Sequence, residues 1–309
     1  MAITLVTGAS GFIGTHLMEE MARRRLAVRG VTSGMAPGLI TIPSYSPRLD
    51  WSEYLDGVKT VVHLAARVHV MRETASDPLA LFRDANVAAT INLARQAAGA
   101  GVRRFVFVSS IKVNGERTKP GLPFTAYDPV NPQDPYGVSK AEAEAALIAL
   151  GRETGMEITI IRPPLVYGRG VRGNFRSLMN WAASGMPSIF AAVTNKRSFV
   201  HVMNLCDLLI TVLDHPNAAN RVFLASDGRD LSTHELLSKL TAAAGRKQRS
   251  ITVAPAVLRM IGRLTRREAA IGRLTESLEV DISLTQQLLG WHPQLCLTAH
   301  TFDFELRPP

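Results

Sequence analysis

Tyr136 and Lys140 stand four residues apart in Tyr136-Gly137-Val138-Ser139-Lys140, at the start of a stretch rich in strong helix formers. On a helix that spacing puts both side chains on one face. An ammonium beside a phenol favours the phenolate, so the pair is expected to lower a pKa that is about 10 when unperturbed and to supply an acid and a base near neutrality. By itself the spacing also arises as ordinary surface packing. Upstream, the apolar run Arg104 to Val108 leads into Ser109-Ser110. Ligands gather at the carboxyl ends of strands in open α/β sheets, so a serine there is placed to hold a substrate oxygen. We assign that chemistry to Ser110 and turn capping to Ser109. A third element, Gly8-Ala9-Ser10-Gly11-Phe12-Ile13-Gly14, directly follows a strand pattern and opens a helix pattern. That is the setting of a phosphate-cradling turn: Gly8 for the tight turn, Gly11 for close approach of a pyrophosphate, Gly14 for helix–sheet packing.

The elements that must position these groups follow from periodicity. Strands are predicted at Ile3 to Thr7, Ala27 to Val31, Thr60 to Leu64, Arg104 to Val108, Glu157 to Ile161 and Ser198 to Val202, each a short apolar run. Helices are predicted at about Phe12 to Arg25, Leu79 to Gly99, Gly137 to Glu153 and Phe175 to Ser184, with loops rich in Ser, Gly and Pro at Thr32 to Pro47 and Lys119 to Pro135. Strands alternating with helices predict an α/β fold, a doubly wound parallel sheet of Rossmann type, followed by a smaller C-terminal substrate domain. The expected division is 1–162 for dinucleotide binding, with a returning segment near 198–226, and 163–309 for the substrate.

Composition bounds the partners. The 309 residues carry a net charge of +9, which points to an anionic ligand. No nucleic-acid motif or interleaved aromatic and basic stripe accompanies the charge, so nucleic acid is not expected. Cys206 and Cys296 form neither a disulfide framework nor a metal-ligand spacing. No apolar run is long enough to span a bilayer, and Met1 leads straight into a strand pattern without a signal region, so a cytoplasmic protein without a metal is expected. The arginines 263, 266, 267 and 273 read as a solvated helix face.

Taken together, these residues resemble the extended short-chain dehydrogenase/reductases, in particular the nucleotide-sugar epimerase/dehydratase group, over nearly the whole chain. Thr7 to Gly14 resembles that group's cofactor turn, His63-Leu64-Ala65-Ala66 its fourth-strand motif, and Asn86 its helix asparagine. Ser110, Tyr136 and Lys140 match its Ser, Tyr and Lys, and Arg162-Pro163-Pro164-Leu165-Val166-Tyr167-Gly168 resembles its sixth-strand segment. The resemblance implies cofactor contacts at Thr7, Gly8, Ser10, Gly11, Phe12, Ile13, Gly14, Leu64, Ala65, Ala66, Asn86, Tyr136, Lys140 and Pro163. It implies a nucleoside diphosphate, with UDP favoured, held by Asn174, Phe175, Phe190, Arg197 and Arg273, and a homodimer formed through the helix that carries Tyr136. Segments Ala66 to Met71 and Ser109 to Glu116 look like a bacterial surface-polysaccharide branch; His69 and Lys112 are near its sugar site but are left outside the assignment.

Departures from the pattern shape the functional expectation. The second strand lacks the acidic residue that grips a ribose, so Thr32 and Ser33, aided by Arg29, are expected to receive a 2′-phosphate, which favours NADPH over NAD. Asp50 reads more simply as a solvated turn than as a substitute acid. Leu165 and Ser198 replace the Asn and Asp of many epimerases. The leading expectation is therefore NAD(P)H-dependent reduction of a 4-keto group on a UDP-linked N-acetyl-6-deoxyhexose. The alternative is an NAD-dependent UDP-sugar 4-epimerase, and a second alternative a non-catalytic cofactor-binding regulator. Dehydration is disfavoured because Ile111-Lys112 lacks the acid pair it needs.

Overall fold

The structure, a computed structural model, describes residues 2–68, 77–265 and 268–297. Its frame is a seven-stranded, wholly parallel sheet in the order β3-β2-β1-β4-β5-β6-β9, where β1 is Ile3–Thr7, β2 Val28–Thr32, β3 Ile40–Thr41, β4 Val58–His63, β5 Arg104–Val108, β6 Glu157–Arg162 and β9 Arg221–Leu224. A two-stranded parallel ribbon pairs β7 (Leu165–Tyr167) with β8 (Phe199–His201). The doubly wound fold read from the pattern is the one observed. The chain reverses direction across the sheet between β1 and β4, and that switch opens a crevice above their carboxyl ends.

Both faces of the sheet are covered, which is why its central strands are buried along nearly their whole length rather than at alternate residues. On one face, α1 (Phe12–Arg23) contributes Leu17 and Met21 to a core shared with Leu205, Leu208, Leu209 and Val212 of α7 (Val202–Asp214). The other face is built after the short helices α2 (Ser52–Leu55) and α3 (Pro78–Arg83). Here α4 (Ala89–Gly99) and α5 (Pro135–Thr154) pack Leu93, Ala94, Ala97, Ala143, Leu147 and Leu150 on Phe105 and Phe107. The smaller C-terminal region contains α6 (Gly173–Ser184), α8 (Thr233–Ala243), α9 (Pro255–Leu264), α10 (Glu268–Thr275) and α11 (Ser283–Leu289).

Several boundaries differ from expectation for local reasons. The single helix predicted over 79–99 is α3 and α4 joined by a π-helical turn, Asp84–Ala88, which re-aims Asn86 inward. α5 begins two residues early because Asp134 caps it, its carboxylate accepting the Gly137 N–H at 2.7 Å, with Pro135 at the first position. The loop at 32–47 holds the two-residue strand β3, too short to leave a periodic signal.

The glycine turn is sterically determined. Gly8 has φ +68°, and a Cβ there would sit 2.8 Å from the Ala65 nitrogen. A Cβ on Gly14 would lie 2.2 Å from the Gly8 carbonyl oxygen, a contact with backbone that cannot give way. Gly14→Ala is therefore expected to destabilise the fold by about 3 kcal/mol or more. Gly99→Ala, with nothing within 4 Å, should stabilise it by about 0.5–1 kcal/mol. Urea denaturation of the two variants beside the parent measures both.

Candidate active site

A cleft of about 850 Å³ opens over the carboxyl ends of β1, β2 and β4. It is lined by Thr7, Gly8, Ser10, Gly11, Phe12, Ile13, Gly14, Thr32, Ser33, Leu64, Ala65 and Ala66, which are the cofactor residues predicted from the first four strands and turns. No side chain caps α1 at Gly11, so its first-turn amides and positive dipole end face this space. Bare backbone at Gly8 and Gly11, free helix amides and a long apolar wall fit a dinucleotide.

Beneath the cleft lies a buried polar relay. Thr7 and His63 are register partners in β1 and β4, and Thr7 Oγ1 lies 2.6 Å from His63 Nδ1. His63 Nε2 meets Thr90 Oγ1 at 3.0 Å and the Tyr45 hydroxyl at 2.9 Å. Burial, with the nearby Lys140 charge, holds His63 well below the usual imidazole range, so it is neutral.

Ser110, Tyr136 and Lys140 meet at the end of β5. Ser110 opens the turn Ile111–Val113, its Oγ accepting the Lys112 N–H at 3.2 Å. The capping role expected of Ser109 thus falls to Ser110; Ser109 is 3% exposed, and its hydroxyl finds no hydrogen-bond partner. Lys140 is buried, donates to the Val108 carbonyl at 2.9 Å and lies 4.4 Å from the Phe107 ring centroid and 6.0 Å from that of Tyr136. Burial lowers its amine to about 7, against the opposing charge of Glu144. The Tyr136 phenol is pushed above its usual range, by burial first and the Asp134 charge second, while a hydrogen bond with Ser110 pulls the other way. This runs against the expectation of a lowered phenol pKa: burial and the Asp134 charge raise it, and the group that pulls it down is Ser110 rather than Lys140.

Behind Lys140, the buried Arg162 donates Nε to Glu144 Oε1 at 3.0 Å and Nη1 to Asn114 Oδ1 at 3.0 Å, which ties α5 to β6 and to the turn after Ser110. Lys112 is held between Asp134 and Glu116. Asn86 accepts the Arg67 N–H at 2.8 Å and donates to the Arg67 carbonyl and to Ser139 Oγ, each at 3.0 Å. It therefore positions the cleft wall against α5 rather than offering a free group to a ligand. Pro163 is buried, with its carbonyl accepting from Ile111 at 3.0 Å, another fastening rather than a cleft surface.

Other expectations are corrected by packing. Arg29 Nη1 donates to the carbonyls of Tyr54 and Asp56 at 2.7 and 2.9 Å, and Arg29 is not part of the cleft lining where a 2′-phosphate was expected to meet it. Thr32 Oγ1 is paired with Ser10 Oγ at 2.6 Å. Asp50, by contrast, is the solvated turn residue that was expected, accepting the Ser52 N–H at 2.9 Å in an exposed turn. Phe175, 1% exposed, stacks on Tyr167 at 5.6 Å. Phe190, also 1% exposed, packs with Val193, Leu237 and Leu258. Both rings are core, and neither presents a face to a base. The Asn174 side chain and His69 lie outside the described residues.

Arg197 and Arg273 do come together. Arg197 Nη1 donates to the Glu276 carbonyl at 3.0 Å; burial lowers its pKa to about 10, and the like charge of Arg273 adds to the fall while the Glu276 charge opposes it. Glu276 also lines a cleft of about 310 Å³ together with Arg117, Thr118, Asn195 and Thr275 among others; Arg197 reaches it only through the Glu276 carbonyl, and neither Arg197 nor Arg273 is part of its lining. Sequence reasoning missed Tyr45, Ile42, Arg67, Val68, Ala85, Val166 and Arg172, all of which line the larger cleft. Arg67 and Val68 directly follow Ala66 and were within reach of the motif; Tyr45 arrives from a loop without periodicity. Among the described residues no cluster fit for a metal occurs, and no helix is long and apolar enough to cross a membrane.

The depressed Lys140 amine makes a stability prediction. Below pH 7 the lysine is charged folded and unfolded, and the native state bears the whole desolvation cost; toward pH 10.5 both forms lose the proton and the cost vanishes. Lys140→Met should therefore raise the melting temperature most at pH 6, the advantage shrinking as pH rises toward 10, while turnover falls by about 10²-fold or more. Thermal melts across pH, paired with activity, check both parts.

Comparison with known proteins places this geometry. Residues 4–225 match the model of the "NAD dependent epimerase/dehydratase family". The chain is 44% identical over 295 residues to a UDP-glucose 4-epimerase of Vibrio cholerae, covering 94% of this chain and 90% of the relative. It is 31% identical over 267 residues to the N-acetyl-alpha-D-glucosaminyl-diphospho-ditrans,octacis-undecaprenol 4-epimerase of Escherichia coli O157:H7, covering 84% and 77%. The solved structure of MoeE5 in complex with UDP-glucose and NAD is 25% identical with a TM-score of 0.77, each chain covered to 97%. On the glycine turn, the sheet order and these matches, the chain is an enzyme of the NAD-dependent epimerase/dehydratase family of extended short-chain dehydrogenase/reductases.

Proposed function

We propose that the protein is an NAD-dependent 4-epimerase of a UDP-sugar, the alternative rather than the leading expectation of the sequence. The observation that carries the choice is the 44% identity, over 94% of this chain, to a relative named a UDP-glucose 4-epimerase; Arg29, anchored on two backbone carbonyls and outside the cleft lining, gives no support to an NADPH preference or a 4-keto reductase. The Vibrio cholerae and Escherichia coli relatives, both 4-epimerases by name, support the same reading. The second of these acts on a lipid-linked sugar, which fits a place in surface-polysaccharide supply; a nicotinamide cofactor fits a cytoplasmic enzyme.

NAD, when bound, supplies a hydride acceptor that later returns the hydride. Thr7, Gly8, Gly11 and the amides of α1 would hold its phosphates, and Leu64, Ala65 and Ala66 its apolar edge. Acting as the phenolate, which the positive charge of a bound oxidised nicotinamide would favour against the burial that raises this phenol, Tyr136 would take the proton from the sugar 4-hydroxyl and give it back once the hydride is restored to the opposite face. Ser110 holds the oxygen while charge moves on it, a preorganised donor of the kind whose loss typically costs about 10²–10³-fold in rate. Lys140, with an amine near 7, adjusts its charge as the phenol does. Arg197 and Arg273 would grip the diphosphate, leaving the hexose free to present either face.

Purified protein is expected to interconvert UDP-glucose and UDP-galactose, or their N-acetylated forms, without added cofactor and without net NADPH consumption. Tyr136→Phe should slow this by about 10²-fold or more. Nicotinamide consumption in proportion to product, with a 4-keto sugar nucleotide, would instead restore the reductase reading. Arg197→Ala should raise KM by roughly tenfold or more with less effect on kcat; initial-rate kinetics separate the two.

A further inference from the structure

Helix α9 leaves an apolar stripe uncovered. Val257, Met260, Ile261 and Leu264 are 40%, 55%, 43% and 77% exposed, and their spacing puts all four on one face. The buried face is a different one: Leu258 joins the core with Phe190, and Gly262 lies against Ile271 of α10. Two further exposed apolar residues, Met186 and Ile251, lie on segments that meet each other, the Ile251 N–H donating to the Ser188 carbonyl and Gly185 lying beside Arg246.

The charge around the stripe is predominantly positive. Between Gly245 and Thr265 the chain carries Arg246, Lys247, Arg249, Arg259 and Arg263, all exposed, and no Asp or Glu; the acid that meets them is Glu268 of α10, 3.1 Å from Arg263 Nε. Apolar side chains flanked by cations are the pattern of a helix that lies in the interface of an anionic bilayer, its stripe among the acyl chains and its arginines at the phosphates. A second copy is a poor occupant, because pairing this face with itself would bring the same cations together. The position is also telling: Pro255, the first residue of α9, lines the smaller cleft together with Arg117 and Glu276.

We propose that α9 is a peripheral membrane contact, which rests on an anionic lipid surface through Val257, Met260, Ile261 and Leu264 and sets the mouth of the smaller cleft against it. The proposal is independent of which sugar is turned over, and it is tested without activity. Full-length protein is floated with vesicles of phosphatidylcholine containing about 30 mol% phosphatidylglycerol, and with pure phosphatidylcholine. Roughly tenfold more protein should float with the anionic vesicles, and about 0.5 M salt should release most of it. Met260→Glu with Leu264→Glu should lose flotation while keeping the parent's circular dichroism and melting temperature. Arg259→Gln with Arg263→Gln, which spares the stripe, should weaken it. Absence of flotation, equal flotation with neutral vesicles, or a dimer in sedimentation that the glutamate variant dissolves would each overturn the proposal.

Discussion

A lysine amine enclosed under the crevice, with one backbone carbonyl and two aromatic rings for company, is the constraint around which this site is arranged. Lys140 is 2% exposed, and its bond to the Val108 carbonyl fixes it at the carboxyl end of β5. An ammonium there is costly, so the amine is brought to about 7 and can gain or lose charge as its surroundings change. The neutral His63 on the same floor and the raised Tyr136 phenol show the same effect of desolvation. Three titratable groups are thus poised by exclusion of water more than by mutual attraction.

Such a site needs rigid backing. The Arg162–Glu144 pair, hydrogen-bonded on to Asn114, joins α5, β6 and the serine turn into one unit. Breaking a buried pair of this kind by removing one partner leaves an uncompensated charge, so it specifies geometry even where it adds little net stability. Asn86 does similar work across the crevice, linking the segment at Arg67 to α5 through Ser139. The π-helical turn that carries it supplies the inward aim that a regular helix would not.

The two clefts divide recognition from chemistry. Backbone amides and small residues over β1 and β4 offer a shape for a long, flat, anionic cofactor. In the C-terminal region, Arg197 and Arg273 act on each other through like charge. The chain's surplus of cations therefore has distinct locations: Arg117 lines the smaller cleft, and others lie on α9 and the segment before it.

Local pattern in the sequence sufficed for the parallel sheet, the glycine turn, and the serine, tyrosine and lysine, because strand periodicity, a glycine at positive φ and a four-residue helical spacing are each set within a few residues of chain. It did not reveal that Arg29 is held by Tyr54 and Asp56, that Ser110 rather than Ser109 caps its turn, or that Phe175 and Phe190 are core. Nor did it give the direction of the Tyr136 shift, since spacing shows which charge is near but not how much water is excluded. Those outcomes belong to tertiary structure alone. Burial and hydrogen-bond partnership arise between segments far apart in the chain, and the same arginine or phenylalanine is a ligand or a strut according to what the fold packs against it.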